Sequence, residues 1–256
     1  GETKSIIIGI APHSSTRIIL ESHQDLRVFL ENYFKRPVQI VTAKNFSEFA
    51  QRSNQGSFYD LILTSPNLAF IAKKEASYTP IMTYTKGLST IILCKNNDIL
   101  NSKKLPLKVI GLDPVSFATL NGEDWLEKQG LEDGRDIVYS YSSASDSAAA
   151  ILINNSADMT IMSLPNYLKL TDDVKQKVNI LYQSPPQPSR IYLAKDGNGI
   201  TLKAWNEALK SFMTSEDGAK HLVATKLEGF KMLAPHELDK LEKIANKTLK
   251  RLDANN

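Results

Sequence analysis

Apolar positions along this chain follow two alternating rhythms. Short unbroken apolar runs are separated by stretches in which every third or fourth residue is apolar, the pattern of strands alternating with amphipathic helices. Lys4 to Ile10 reads as a buried strand, and Leu26, Phe29, Leu30 and Tyr33 then fall at helical spacing behind a capping box of Ser22 and Asp25. Pro37 ends that helix and "VQIVT" is the next strand. Phe46, Phe49 and Ala50 mark a short helix, "YDLILTS" a third strand, and Pro66 sits where a helix favours a first-turn proline. "PIMTYT" and "STIILCK" follow as strands.

A second strand–helix series runs from about Lys108 to Tyr182. Its strands are "LKVIGL", "DIVYSY", "DMTIM" and "VNILYQ"; its helices end near Gly130, span Ser143 to Asn154, and follow Pro165. The Pro-rich "SPPQPS" (184–189) reads as a linker, and "RIYLAK" as a strand after it. Helices are then expected over Leu202–Met213, Glu216–Lys226 and Pro235–Leu252. The last carries Lys240, Lys243, Lys247, Lys250 and Arg251 opposite Leu238, Leu241, Ile244 and Leu252, an ordinary amphipathic helix with a solvated basic face.

Two such series with a strand at each junction predict an α/β protein of two lobes with mainly parallel sheets. Lobe 1 begins in residues 1–90, lobe 2 takes 91–187, and 188–256 return to lobe 1 with the C-terminal helices. A ligand is expected in the interlobe cleft, at the carboxyl ends of the strands. The 256 residues give room for two cores. The balance of 31 basic against 28 acidic side chains argues against nucleic acid as the partner. No apolar run is long enough to span a bilayer. The sequence starts almost directly in the strand "KSIIIGI" with no visible signal peptide, a start compatible with a removed leader. The single cysteine, Cys94, lies in an apolar strand and reads as a buried thiol. No Cys/His set has metal spacing, no nucleotide-type phosphate loop is present, and no nucleophile–base set appears, so no metal, no cofactor and no enzyme activity are expected.

The order of motifs resembles the type II periplasmic solute-binding proteins, and within them the phosphate/phosphite/phosphonate-binding branch of ABC transporter substrate-binding proteins. "IGIAPHSS" resembles the opening strand and loop of that branch, and "RPVQIVTAKNFSEFAQRSNQGSFYDLILTSPNLAFIAKK" its second strand, helix and third strand. "STIILCKNNDI" resembles the crossover strand. "GLDPVSFATL" (111–120) stands where the branch has an Asp-Pro-x-Ser-Thr-Ser-Gly phosphate loop, and "SYSSASDSAAAILINNSADMTIM" resembles its Gly-Ser-His-Asp helix start and following strand. Here Phe117 and Ala118 replace the loop's Thr and Ser, Thr119 replaces its Gly, and Ser145 stands in place of His before Asp146. The resemblance implies a two-lobed periplasmic-binding-protein-like fold. It implies an extracytoplasmic protein, periplasmic or lipid-anchored, that captures a small phosphonate- or phosphate-like oxyanion for an ABC importer. The alternative is the ligand-sensing periplasmic domain of a membrane signalling receptor. The partners expected are the anion and an ABC permease or receptor, with the chain itself a monomer.

The candidate ligand-binding residues each have a structural reading beside the functional one. Ser116 donates to a ligand or only caps a helix, and Asn121 with Asp124 offers a later cap that would leave Ser116 and Thr119 in a loop. Asp146, three residues after Ser143, fits a capping box, while Ser145 points to a ligand role. Thr64 and Ser65 end a strand just before a helix N-terminus, the usual seat of an anion. His13 follows the first strand. Tyr84 and Tyr141 end strands and line the cleft or pack half-buried. Phe117 covers an apolar part of the ligand or fills the core.

Overall fold

The computed structural model describes residues 4–234 and 236–254, and the chain divides into two compact units. Unit 1 is built from the chain up to Gly87 and again from Pro188 onward; unit 2 is Leu88–Gln187. Unit 1 begins with β1 (Ile6–Ile10), α1 (Thr16–Ser22), α2 (Gln24–Phe34), β2 (Val38–Val41), α3 (Phe46–Gln55), β3 (Leu61–Thr64), α4 (Pro66–Ala76) and β4 (Thr79–Tyr84). Unit 2 follows with β5 (Thr90–Cys94), β6 (Leu107–Gly111), α5 (Phe117–Lys128), β7 (Ile137–Tyr141), α6 (Ser145–Ile153), β8 (Met159–Ser163), α7 (Leu164–Leu168), α8 (Asp172–Gln176) and β9 (Asn179–Gln183). The return to unit 1 supplies β10 (Ile191–Ala194), α9 (Leu202–Met213), α10 (Glu216–Thr225), β11 (Phe230–Met232) and α11 (Glu242–Ala254).

The unit 1 sheet has the order β11-β4-β10-β3-β1-β2, and the unit 2 sheet β7-β6-β8-β5-β9. Both are mixed rather than mainly parallel. In unit 1 the βα repeats set β1 parallel to β2 and β3, but the returning β10 inserts antiparallel between β3 and β4. In unit 2, β6 lies parallel to β7 and β8, while β5 runs antiparallel to β8 and β9. A strand that enters a βα sheet without a crossover helix before it is free to run the other way.

The amphipathic stripes bury as their spacing dictates. Trp205, Ala208, Leu209 and Phe212 of α9 sit at i, i+3, i+4 and i+7 and are fully buried. Each large side chain so buried contributes about 1.5–3 kcal/mol. Leu26 and Leu30 of α2 join the same core, whereas Tyr33 is 40% exposed. The core of unit 2 forms around Ile92, Cys94, Val109, Met159 and Ile161, with Trp125 and Tyr182 stacked 4.2 Å apart beside it. Cys94 is fully buried, and burial pushes its thiol pKa up.

Three local expectations are corrected. Ser22 and Asp25 form no capping box: Ser22 closes α1, His23 is the residue between the two helices, and Asp25 lies in the first turn of α2. The last helix begins at Glu242 after a 3-10 turn at Asp239–Leu241, and the expected start at Pro235 lies outside the described residues. The three-residue β11 was not expected, because "FKM" is too short to show a period; it forms by antiparallel pairing with β4.

Candidate functional site

The carboxyl ends of β1, β3 and β4 in unit 1 lie side by side with the amino end of β10. Ala11 N–H donates to Leu63 O at 2.9 Å, which carries the β1–β3 alignment past the end of β1. Ile191 of β10 is opposite Thr64 on one side and Thr83 on the other. Thr83 Oγ1 donates to Arg190 O at 2.6 Å and so pins the residue before β10. His13, Thr64, Ser65, Arg190 and Tyr84 are thereby gathered along one edge of one sheet.

Most of the polar atoms gathered there have nothing to bond to. Thr64 and Ser65 are 1% and 5% exposed, and neither hydroxyl has a hydrogen-bond partner. Ser65 is the N-cap of α4, but its side chain makes no capping bond; only its carbonyl is used, accepting from Ala69 N–H at 2.9 Å. Both ring nitrogens of His13 are shut off from solvent and unpartnered, its ring standing edge-on to Phe46 at 5.5 Å. The Arg190 Nε and the Ser189 hydroxyl are in the same condition. Native interiors leave few such groups, since each costs about 1–3 kcal/mol.

Behind this edge lies a closed chain of aromatic polar groups. The Tyr84 hydroxyl bonds the Tyr192 hydroxyl and His221 Nε2, and His221 Nδ1 lies 2.9 Å from Ser22 O. A carbonyl only accepts, so Nδ1 carries the proton, Nε2 accepts from Tyr84, and Tyr84 accepts from Tyr192. The Tyr84 hydroxyl is therefore fully engaged inside unit 1, at 2% exposure, and is not open to a solute. Burial, with Arg190 and His23 as positive neighbours, pushes the His13 pKa well down, and burial with His221 and Arg190 does the same to His23. Burial lowers that of His221 to about 4.

The loop in unit 2 that resembles a phosphate loop is built differently. Ser116 is the N-cap of α5, so the later start at Asn121 and Asp124 does not occur. Ser116 Oγ accepts from Thr119 N–H at 3.3 Å and donates to Thr119 Oγ1 at 2.8 Å, and Thr119 Oγ1 also accepts from Leu112 N–H at 3.3 Å. Asp113 Oδ1 accepts from Val115 N–H and Asp113 O from Ser116 N–H, closing the turn. Thr119 stands in an ordinary helical turn, packed so tightly on Gly111 that a Cβ there would lie 2.9 Å from Thr119 Cγ2. Phe117, 7% exposed, opens α5 as a core residue.

On the neighbouring strand Tyr141 ends β7 opposite Gly111 and is 39% exposed. Ser145 and Asp146 are the first two residues of α6, whose N-cap is Ala144 with no side-chain bond. The expected Ser143–Asp146 box therefore does not form, because the helix starts later. Asp146 is exposed in the first turn, where a carboxylate favours the helix dipole.

The structure thus brings His13, Thr64 and Ser65 together in unit 1, and Ser116, Phe117, Thr119 and Tyr141 together in unit 2, with Ser145 and Asp146 at the next helix start. Sequence reasoning missed Arg190, Ser189, His23, Tyr192 and His221. Ser189 closes the Pro-rich segment that reads as linker and Arg190 opens the strand "RIYLAK"; only the antiparallel entry of β10 turns its amino end toward the carboxyl ends of its neighbours. A separate hollow of about 420 Å³, lined by Thr16, Ile19, Ile40, Thr42, Lys44 and their neighbours, contains none of the candidate residues. Among the described residues, no helix is long and apolar enough to cross a membrane, and no His/Cys/Asp/Glu group is arranged to hold a metal ion.

Residues 8–240 match the family described as the periplasmic substrate-binding protein of phosphonate ABC transporters. No curated protein matches the sequence. Among solved structures, the chain is similar to a binding-protein component of an ABC phosphonate transporter from Pseudomonas aeruginosa, at 15% identity and a TM-score of 0.75, covering 100% of this chain and 90% of that one. It is equally similar to PhnD1 from Prochlorococcus marinus in complex with methylphosphonate, at 14% identity and 0.75, covering 97% and 100%. The aliphatic sulphonate binding protein SsuA of Escherichia coli is more distant, at 19% identity and 0.59, covering 96% and 87%. These likenesses establish the type II periplasmic binding fold, and the match over residues 8–240 establishes that the chain belongs to the phosphonate-type periplasmic substrate-binding proteins of ABC transporters.

Proposed function

We propose that this chain captures a small tetrahedral oxyanion of the phosphonate or phosphate class outside the cytoplasm and delivers it to an ABC importer. The observation that carries this reading is the pair of buried, unpartnered hydroxyls of Thr64 and Ser65 at the N-terminus of α4. A helix N-terminus offers N–H groups and a positive dipole end to an anion. Two hydroxyls left without partners beside it become donors to that anion, and His13 completes the group.

In unit 2 the proposed contributions are narrower. Ser145 and Asp146 keep side chains free of capping, so Ser145 is a donor to the ligand and Asp146 an acceptor for a ligand hydroxyl or amine. Ser116 and Thr119 shape the loop rather than donate, Phe117 packs in the core behind it, and Tyr141 gives it apolar surface. The protein acts as a monomer, periplasmic or held by a lipid anchor. Membership of a transporter family favours delivery over the sensing-receptor alternative.

The test is a thermal-shift screen followed by calorimetry with methylphosphonate, phosphite, phosphate, aliphatic sulphonates and amino acids. Binding of a phosphonate, phosphite or phosphate is the expected result. A protein that binds only amino acids, or none of these oxyanions, overturns the proposal.

A further inference from the structure

We infer that Arg190 is the residue that fixes the charge of the ligand, a guanidinium held in the fold without an internal counter-ion so that the incoming oxyanion supplies it. This rests on the reading of the protein as an oxyanion carrier and adds a specificity determinant that the loop motifs do not contain.

The placement is set by the sheet. Arg190 stands one residue before β10, so the antiparallel register puts it level with Ser65 beyond β3 and with Tyr84 at the end of β4. Its carbonyl is tied to the Thr83 hydroxyl at 2.6 Å, which leaves the backbone little freedom to carry the side chain away. Its Nε is buried and unpartnered. An arginine stays charged in any protein environment and presents a planar fork suited to two oxygens of one tetrahedral anion.

Its surroundings supply no negative charge. The groups that act on it are the phenols of Tyr84 and Tyr192, and it in turn disfavours protonation of His13 and His23. Tyr84 and Tyr192 are already bonded to each other, and Tyr84 to His221. Among the described residues no Asp or Glu forms an ion pair with Arg190, although other Arg and Lys side chains do so, most of them on exposed helix faces. Arg190 as a whole is partly exposed, but its Nε is shut off from solvent, and a charge held there without a partner destabilises the fold. Its natural partner here is an anion that also accepts from Ser65 and Thr64, whose hydroxyls are unpartnered at the same strand ends.

The inference separates a ligand role from a packing role, because the two move stability in opposite directions. With Arg190→Gln, calorimetry should show methylphosphonate or phosphate affinity reduced at least roughly thirtyfold, the loss expected when one partner of a buried charge pair is removed. The unliganded melting midpoint should rise, by about 2–4 °C or more for a chain of this size. Arg190→Lys keeps the charge without the fork and should lose less affinity than Arg190→Gln. Wild-type affinity retained in Arg190→Gln overturns this inference alone, as does a fall in the unliganded midpoint of both variants. Failure of the wild type to bind any phosphonate, phosphite or phosphate overturns the carrier reading itself, and this inference with it.

Discussion

Ser65 and Ser116 invite direct comparison. Each is the N-cap of a helix, α4 in unit 1 and α5 in unit 2, and each follows a strand of a βα repeat. Ser116 accepts from the Thr119 N–H and donates to the Thr119 hydroxyl, so both its capacities are used. Ser65 makes no capping bond, and its buried hydroxyl has no partner at all. The same residue type at the same position is thus a finished structural element in one unit and an open donor in the other. Pro66 contributes to the difference by supplying a ready-made first turn, which lowers the demand for a side-chain cap. A strand-end hydroxyl indicates a ligand only when its bonds are unspent, and that property lies in the pairing rather than in the residue type.

The two units should also part under acid, and this is the largest expected effect. All four histidines, His13, His23, His221 and His236, lie in unit 1, and the first three have pKa values held down. In the unfolded chain these imidazoles take up protons below about pH 6.5, while folded His221 does so only near pH 4. Their contribution is therefore complete above about pH 6.5 and falls as the pH drops below it; His221 loses its share, about 3 kcal/mol, as pH falls through about 4. Hydrogen exchange at pH 7.5 and 4.5 should show protection falling in unit 1 far more than in unit 2, after correction for intrinsic rates. An equal fall in both breaks the comparison.

Smaller effects sharpen it from the unit 2 side. Gly111→Ala places a Cβ 2.9 Å from Thr119 Cγ2 and should destabilise by about 1–3 kcal/mol in urea titration, with Thr119→Ser recovering part of the loss. Ser116→Ala removes a working cap and should cost about 1 kcal/mol of stability. Ser65→Ala removes no cap but takes away a buried, unpartnered hydroxyl, so it should raise unliganded stability, by up to about 1–3 kcal/mol. If both serines cost the same, the distinction between them fails.

The α/β alternation was legible because it rests on local periodicity. Runs such as "YDLILTS" and the α9 stripe of Trp205, Ala208, Leu209 and Phe212 carry their element in their spacing. Strand direction was less legible: nothing within "RIYLAK" or "STIILCK" says that β10 and β5 pair antiparallel, since that is decided by partners far away in sequence. The candidate site followed the same rule. Thr64 and Ser65 were visible as a strand end before a proline. Arg190 was not, because its significance arises only when β10 lies between β3 and β4 and delivers its amino end to that edge. The capping box expected at Ser143 and Asp146 failed for a related reason: Ser142 turns its hydroxyl onto Ala144, and the helix begins after that local turn.

The most direct test of the account titrates methylphosphonate and phosphate calorimetrically into wild type, Ser65→Ala and Ser116→Ala. A hydrogen bond to a charged group is worth about 1.5–3 kcal/mol, so Ser65→Ala should weaken binding by roughly ten- to a hundredfold while its fold stays intact. Ser116→Ala should keep most of the affinity and lose stability instead. Full affinity in Ser65→Ala together with a large loss in Ser116→Ala would place the anion at the unit 2 loop and contradict the assignment of the binding edge to unit 1.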